Sequence, residues 1–437
     1  MRRKIGDILG SSPLDSDGNR RYEKLCDWST GATSTFSRST SIYNRVHPRV
    51  HGTSGAVGVF TTFRGVPLHN VKIVRGNRFS QVAKTYKINR PIACEPTLNA
   101  FLQKGVGRFI RTQLKNRAHI DLDNGADVNR HLVSCAIELK LCTLDLESAS
   151  DTLSSEFVRY VLPHSWWTEL ENIRSPVISI DGKWKHLSKH ASMGNGYIFE
   201  LETLIFWSIV STINELTGTN SPVSVFGDDI ICASSISDLV MKTLTFCGFR
   251  INKDKSFTSG VFYESCGHHY YDGRLCTPPY QKGRLHSRDT MNRLFEIIAC
   301  HNRLYRWSLR VADLEFTHNA RVYLMSLGRR ICLRYDDIPR LHFTSTADFG
   351  FLVNDDSLLD KNGDYLSPLA LVLSTSPLKN QDGDLIYHTG EWFYYENWLN
   401  GRNSFITNRQ GQCLKYDTPR YKIRKNFKSW RATATYS

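Results

Sequence analysis

Residues 223–233 read Val-Ser-Val-Phe-Gly-Asp-Asp-Ile-Ile-Cys-Ala, two short apolar runs around a Gly-Asp-Asp turn. The runs predict two antiparallel strands, and Gly227 permits the tight turn between them. Burial of such a hairpin leaves Asp228 and Asp229 at a rigid tip. Two neighbouring carboxylates repel each other, which a fold tolerates where a divalent metal neutralises them. Two further Asp-Asp pairs occur. Asp336-Asp337 lies between arginines just before a proline, and Asp355-Asp356 lies in a polar run. Neither follows a glycine or separates strand-like runs, so both read as surface acids.

Residues 142–154, Cys-Thr-Leu-Asp-Leu-Glu-Ser-Ala-Ser-Asp-Thr-Leu-Ser, supply a third carboxylate. An apolar strand ends at Asp145, and a turn of small residues leads to Asp151. If this strand lies beside the hairpin, Asp145 and Asp228 can bridge two metal ions roughly 3.5–4 Å apart, as two-metal phosphoryl transfer requires. The competing reading is that Asp145 caps the turn or helix after it. Ser192-Met193-Gly194-Asn195-Gly196 precedes a predicted helix over 194–217, whose Ile198, Leu201, Ile205, Ile209, Ile213 and Leu216 recur at helical spacing. Its glycines let backbone approach a nucleotide closely, its helix start favours negative charge, and Asn195 can bond a sugar hydroxyl. An ordinary glycine-rich turn is the competing reading. Gly218 is the expected stop.

Lys plus Arg number 56 against 42 Asp plus Glu, a net charge of +14 over 437 residues. That excess points to a polyanion, nucleic acid first. Residues 71–117 are strongly basic, and a basic tail from Lys415 is expected to meet a phosphate backbone or to be a solvated end. Residues 286–334 alternate basic and apolar residues at helical spacing, and turn signals stand at 361–364 and 381–384. Eleven cysteines include no C-x-x-C pair, which argues against a zinc ribbon and fits a reducing compartment. Cys232 and Cys300 read as core residues. The start of the chain lacks the apolar core of a signal peptide. The most apolar stretch, 197–210, is interrupted by Glu200 and Glu202, so no membrane span is expected.

Taken in order, these motifs resemble the RNA-directed RNA polymerase, the replicase catalytic β subunit, of levivirus-like positive-strand RNA bacteriophages. The resemblance rests on Asp-Leu-Glu-Ser-Ala-Ser-Asp at 145–151, Ser-Met-Gly-Asn-Gly-Tyr-Ile-Phe-Glu-Leu-Glu at 192–202 and Phe-Gly-Asp-Asp-Ile-Ile at 226–231. Gly-Phe-Arg-Ile-Asn-Lys-Asp-Lys-Ser-Phe at 248–257 and Glu-Ser-Cys-Gly-His-His-Tyr-Tyr at 264–271 extend it downstream. Lys84 to Pro96 and Thr30–Ser34 extend it upstream. Phe226 stands where tyrosine is more usual, and the family normally has a longer segment before Thr30, so the chain is expected to start late or to be partial.

The resemblance implies an α+β right-hand polymerase with an antiparallel palm sheet flanked by helices. Residues 1–140 would form short fingers, 141–285 the palm with a fingers insertion near 160–190, and 286–437 the thumb and C-terminal region. It implies that Asp145, Asp228 and Asp229 hold two Mg²⁺ or Mn²⁺ ions. Asp151 and Asn195 would check the ribose 2′-hydroxyl, and Ser192 and Gly194 would also bind substrate. Lys84, Lys87 and Arg90 would steady the triphosphate. Lys255, with Lys253 as an equal neighbour, would protonate the leaving pyrophosphate. RNA template and product, ribonucleoside triphosphates and host elongation factors Tu and Ts are the implied partners, and the cytoplasm of an infected bacterium the implied location. A reverse transcriptase, which usually lacks the glycine before its paired aspartates, and a non-catalytic RNA-binding polymerase remnant are the alternatives.

Overall fold

The hairpin expected around Gly227 forms, and most of the first two-thirds of the chain is built around it. The computed structural model describes residues 1–29, 31–36, 50–63, 71–83, 88–281, 285, 290–332, 340–342 and 351–353, and short strands at 370–373, 378–379, 385–386, 406–407, 413–414 and 421–424. Two units divide the chain, Met1–Arg274 and Leu275–Ser437. Thr30, Lys84, Lys87, both outlying Asp-Asp pairs, the turn signals at 361–364 and 381–384, and most of the basic tail lie outside the described residues.

The first unit begins with helix α1 (Arg2–Leu9), strand β1 (Val50–Gly52) and helix α2 (Ser54–Phe60). Strands β2 (Val71–Ile73), β3 (Asn77–Ala83) and β4 (Asn89–Cys94) precede the long helix α3 (Thr97–Ala118). Next come α4 (Gly125–Ser134), β5 (Leu141–Leu144), and the helices α5 (Ala149–Thr152), α6 (Ser155–Val161) and α7 (His164–Ile173). The hairpin of β6 (Val177–Ile180) and β7 (Lys183–His186) leads to α8 (Ile198–Leu216). Strands β8 (Ser224–Phe226) and β9 (Asp229–Ala233), helix α9 (Ser237–Phe246), and strands β10 (Phe262–Ser265) and β11 (His268–Tyr271) follow.

Two sheets matter most. β5, β9 and β8 form an antiparallel sheet with β9 in the middle. β4, β3, β6 and β7 form a second, in which β3 runs parallel to β6. The first sheet is apolar on both faces. Leu144, Cys142, Ile230 and Cys232 join the main core, and Leu141 and Ile231 pack with Val133, Ala136 and Tyr263 on the other side. That division is the period of two that strands impose. Cys142 and Cys232 face each other across β5 and β9 with sulfurs 3.3 Å apart, so Cys232 is the core residue it was expected to be.

α8 begins at Ile198, later than the spacing predicts. Gly194 has φ +110, which a helix cannot contain, and the turn keeps Gly196 outside as well. The predicted apolar stripe is buried from Ile198 to Ile213, while Leu216 is 80% exposed. Leu204, Phe206 and Val210 on other sides are buried too, so α8 is a central helix. It also anchors the hairpin. The Gly227 N–H donates to the Thr203 hydroxyl at 3.0 Å, and that hydroxyl donates to the Phe199 carbonyl at 2.8 Å. The Phe226 ring meets Phe199 edge-on, with centroids 4.8 Å apart.

In the second unit, helices over Thr290–Arg310 and His318–Cys332 occupy the segment predicted to be helical. Leu294, Ile297, Ile298, Leu324 and Phe351 form their core. Cys300 packs against this core. Among the described residues no helix is long and apolar enough to cross a membrane.

Thr203→Val keeps the side-chain volume and strands the buried Gly227 N–H, at a cost of about 1–3 kcal/mol. Gly227→Ala adds two faults, a β-carbon at φ +63 and one 2.5 Å from the Phe199 ring. Both substitutions should lower the urea midpoint, Gly227→Ala by at least as much as Thr203→Val. Unchanged midpoints would deny the hairpin its anchor.

Candidate active site

Register brings the three aspartates together. Leu144 pairs with Ile230 across β5 and β9, which sets Asp145, one residue past β5, beside Asp229. Phe226 pairs with Asp229 across β8 and β9, leaving Gly227 and Asp228 as a two-residue turn. Gly227 at φ +63 supplies the positive angle such a turn needs in its first position.

Two of these carboxylates are anchored. The Asn252 side-chain amide donates to Asp145 Oδ2 at 2.6 Å, and the Asn252 N–H donates to the Asp145 carbonyl at 2.9 Å. Asp145 therefore caps no helix, because its carboxylate is held from the 250–257 segment running along β5. Asp229 Oδ1 accepts the Ser265 hydroxyl at 3.1 Å and the Cys266 N–H at 3.0 Å. The turn after β10 presents both, with Cys266 and Gly267 at positive φ. Behind Ser265 stands Asn129 of α4, which donates to the Ser265 oxygen at 3.1 Å and accepts the Ser224 hydroxyl at 2.6 Å. Asn129 and Ser265 are buried. The Asp228 side chain makes no hydrogen bond or ion pair to the described residues.

Burial, together with the charges of Asp228 and Asp229, pushes the Asp145 carboxyl up to about 6, against the opposing Asn252 bond and Lys255. Asp229 is raised by burial and by Asp228, against its bonds from Cys266 and Ser265. Glu202 of α8 is pushed up to about 8 by burial, then by Asp228 and Asp151. Lys255 sits 3.2 Å from Glu264 Oε1. Burial opposes its charge, but Glu264, Asp145 and Asp229 outweigh it and raise its pKa. Asp151 is paired with Lys189 at 2.5 Å.

The donor set suits a hard divalent cation, since it offers carboxylate oxygens without thiolate or imidazole and sets one free carboxylate beside two anchored ones. Among the described residues, no three His, Cys, Asp or Glu side chains are drawn around one point tightly enough to hold an ion.

The glycines of 192–196 face protein. A β-carbon on Gly194 would lie 2.5 Å from the Ala93 carbonyl, and one on Gly196 would lie 3.0 Å from the Lys104 nitrogen. The Ala93 N–H donates to the Met193 carbonyl at 2.9 Å. The first free N–H groups of the turn are also taken, Gly196 by Gln103 and Tyr197 by the Asn195 oxygen, both at 3.1 Å. The motif is thus pinned to β4, the strand that carries exposed Arg90, and to α3. What it leaves open is polar. Ser192 Oγ, Asn195 Nδ2 and Glu202 Oε1 are buried without partners, and a buried polar atom without a partner marks a place for water or ligand. Sequence reasoning named Ser192 and Asn195 but missed Glu202. The available signal was an acid between Leu201 and Thr203 inside an otherwise apolar run.

Residues 1–316 match the family model for the RNA replicase beta-chain. The chain belongs to this family. It is 39% identical over 242 residues to the RNA-directed RNA polymerase beta chain of Escherichia phage MS2, covering 55% of this chain and 43% of that protein. It is 36% identical over 339 residues to the RNA-directed RNA polymerase subunit beta of Qbeta virus (strain MX1), covering 74% and 53%. The corresponding subunit of Enterobacteria phage SP is 31% identical over 396 residues, covering 88% and 66%. The chain spans about half the length of the curated relatives it matches. The solved RNA-dependent RNA polymerase of a human picorbirnavirus is similar over 76% of this chain and 79% of its own, at 12% identity and a TM-score of 0.39, too loose a likeness to carry an argument. Every residue of the carboxylate cluster and its anchors lies inside the segment matched to the replicase family.

The crowded carboxylates make a stability prediction. Asp145 binds its proton more tightly folded than unfolded. Its contribution to stability is therefore complete below its ordinary value of 3.8 and is lost as pH rises through about 6. In metal-free buffer at pH 8, Asp228→Asn relieves this repulsion and should stabilise the chain by on the order of 1 kcal/mol. The gain should shrink toward pH 5, where Asp145 takes up its proton. Thermal melts in EDTA at the two pH values measure it, and an equal or negative effect at pH 8 would refute the repulsion.

Proposed function

We propose that the chain is the catalytic part of an RNA-directed RNA polymerase that replicates a positive-strand RNA phage genome in the infected bacterium. The observation that carries this reading is the register that sets Asp145 beside the Gly-Asp-Asp hairpin in a member of the replicase family. The proposed layout is a right hand, with 1–140 as fingers, 141–285 as palm and 286–437 as thumb. Pairing of β3 with β6 supports counting the segment near 160–190 with the fingers.

Asp145, Asp228 and Asp229 are the residues proposed to hold two Mg²⁺ or Mn²⁺ ions. What such ions would supply is charge, by lowering the pKa of the attacking 3′-hydroxyl and neutralising the departing pyrophosphate. Asn252, Ser265 and Cys266 hold the outer carboxylates in position. Ser192 and Asn195 offer unpartnered polar atoms to the ribose, and Asp151, paired with Lys189, is assigned to the same sugar. Gly194 seats this motif on β4. Lys84, Lys87 and Arg90 are assigned to the triphosphate. Lys255 is assigned to the leaving group and must exchange its Glu264 partner to reach it. The excess positive charge suits RNA template and product, and host elongation factors Tu and Ts are the proposed protein partners.

Incorporation of labelled ribonucleotides on an RNA template with Mg²⁺, with and without the host factors, tests the reading. Wild type should synthesise RNA and prefer ribo- to deoxyribonucleotides, and Asp228→Asn should lose roughly a hundredfold or more. Synthesis that survives Asp228→Asn would sink it. A second expectation separates positioning from chemistry. Asn129→Ala leaves the Asp229 anchor loose and should lower kcat about tenfold with little change in the nucleotide KM. An unaltered kcat would reduce Asn129 to a packing role.

A further inference from the structure

A cleft of about 490 Å³, none of whose walls belongs to the carboxylate cluster, lies between the β2–β3 connection, the start of α2 and the end of α7. Ser54, Ile73, Arg75, Asn172, Arg174 and Pro176 are among its walls. The walls are held in backbone contact. A β-carbon on Gly55 would lie 2.5 Å from the Asn172 carbonyl, and one on Gly76 would collide with the Val177 carbonyl. The cleft therefore cannot close without moving the main chain.

Arg174 is 7% exposed. Its Nε and Nη2 donate to the two oxygens of Glu171 at 2.7 and 2.8 Å. Its third nitrogen, Nη1, is buried without a partner. Nη1 is closed off from solvent, and the Arg174 charge acts on buried His190 and Tyr197, so Arg174 is spent on Glu171 and the interior and serves the cleft as wall. Glu171 is already committed, which leaves the positive charge of Arg75 uncompensated in the cleft.

Arg75 also reaches beyond it, with its guanidinium 5.5 Å from the ring centroid of Trp184. Trp184 is still 39% exposed. It lies on β7, where Lys183, Lys185 and His186 are all exposed. Pro176, at the cleft wall, leads directly into β6 of the same hairpin. A cleft walled by the exposed Arg75 thus adjoins an exposed indole among cations. That alternation of cation and aromatic face matches the phosphates and bases of a single strand. An acidic protein would meet the lysines but would leave the exposed indole unexplained.

We propose that the mouth of the cleft and the β6–β7 hairpin form a binding site for single-stranded RNA, with one phosphate against Arg75 and a neighbouring base stacked on Trp184. The site is distinct from the aspartate cluster, and the proposal rests on the polymerase reading only in taking RNA as the polymer.

The test is equilibrium binding of a short fluorescein-labelled oligoribonucleotide to the full chain across a range of salt, with no ribonucleoside triphosphates. A chain that cannot polymerise can still pass it. Trp184→Ala and Arg75→Ala should each raise Kd about tenfold, and Arg75→Ala should also reduce the salt slope by about one. Trp184→Phe should retain most of the affinity. Heparin, a polyanion without bases, should bind Trp184→Ala as it binds wild type. Oligoribonucleotide carrying 4-thiouridine should crosslink to the 177–186 hairpin. Both alanine positions are solvent-facing, and circular dichroism confirms that each variant folds. Unchanged RNA affinity in both variants would overturn the proposal, as would a wild type that binds no RNA. Equal weakening toward heparin in Trp184→Ala would overturn it too, and so would loss of an acidic protein partner with RNA binding intact.

Discussion

One hydrogen bond, from the Gly227 N–H to the Thr203 hydroxyl, ties the acidic hairpin to the helix that organises everything around it. α8 is buried along most of its length, so it has little freedom to shift, and what it touches inherits that rigidity. Phe199 braces Phe226, Thr203 holds the turn, and Glu202, next to Thr203 on the helix, feels the Asp228 charge. The residues just before α8 are pinned to β4 and α3 through Met193, Gly194 and Gly196. One helix thus relates the aspartates to the polar atoms of Ser192 and Asn195. Phe226 also lies against Gly125, where a β-carbon would come 2.5 Å from its ring, which extends the brace to α4 and the Asn129 anchor.

Much of this was legible because it is local. A glycine between apolar runs and two acids can be little else than a hairpin tip, and Asp145 declared itself at a strand end. The pairing of β5 with β9 was a conjecture, since it joins residues far apart in sequence, and nothing in either strand specifies the other. The anchors were harder still. Asn252, Ser265 and Asn129 are ordinary polar residues until the fold brings carboxylates to them, and although Asn252 and Ser265 lie in motifs that carry the resemblance, only Lys255 and Lys253 were given a role there. In α8 the helical spacing marked one apolar face. The other faces were masked by Thr203 and Ser208, whose hydroxyls bond back to helix carbonyls at 2.8 and 2.7 Å and so can be buried without other partners. Glu202 counted in the sequence only as a break in an apolar run. The glycines of 192–196 read either as a close approach for a nucleotide or as an ordinary turn, and packing against Ala93 and Lys104 by itself demands them.

The cluster's electrostatics run against folding. Many acids of the first unit have cations at hand, as Glu200 has Arg111 and Asp27 has Lys104 and Arg108. Asp145, Asp229 and Glu202 instead share a desolvated corner with Asp228, and each is raised for that reason. A cation there would be worth more to ligand binding than to the empty fold. Stability has been given up at one place, where the sheet and α8 are stiff enough to carry it.

The way the outer aspartates are held is consistent with that use. Asn252 engages Oδ2 of Asp145, while both bonds to Asp229 fall on Oδ1. Each anchored carboxylate therefore keeps its second oxygen uncommitted among the described residues, and Asp228 keeps both. Donors on every oxygen would have quenched the repulsion and raised stability, at the expense of any further ligand. Donors on none would have let the side chains swing apart. Anchoring one oxygen each fixes direction and leaves acceptors over, which is the compromise a metal-binding carboxylate requires.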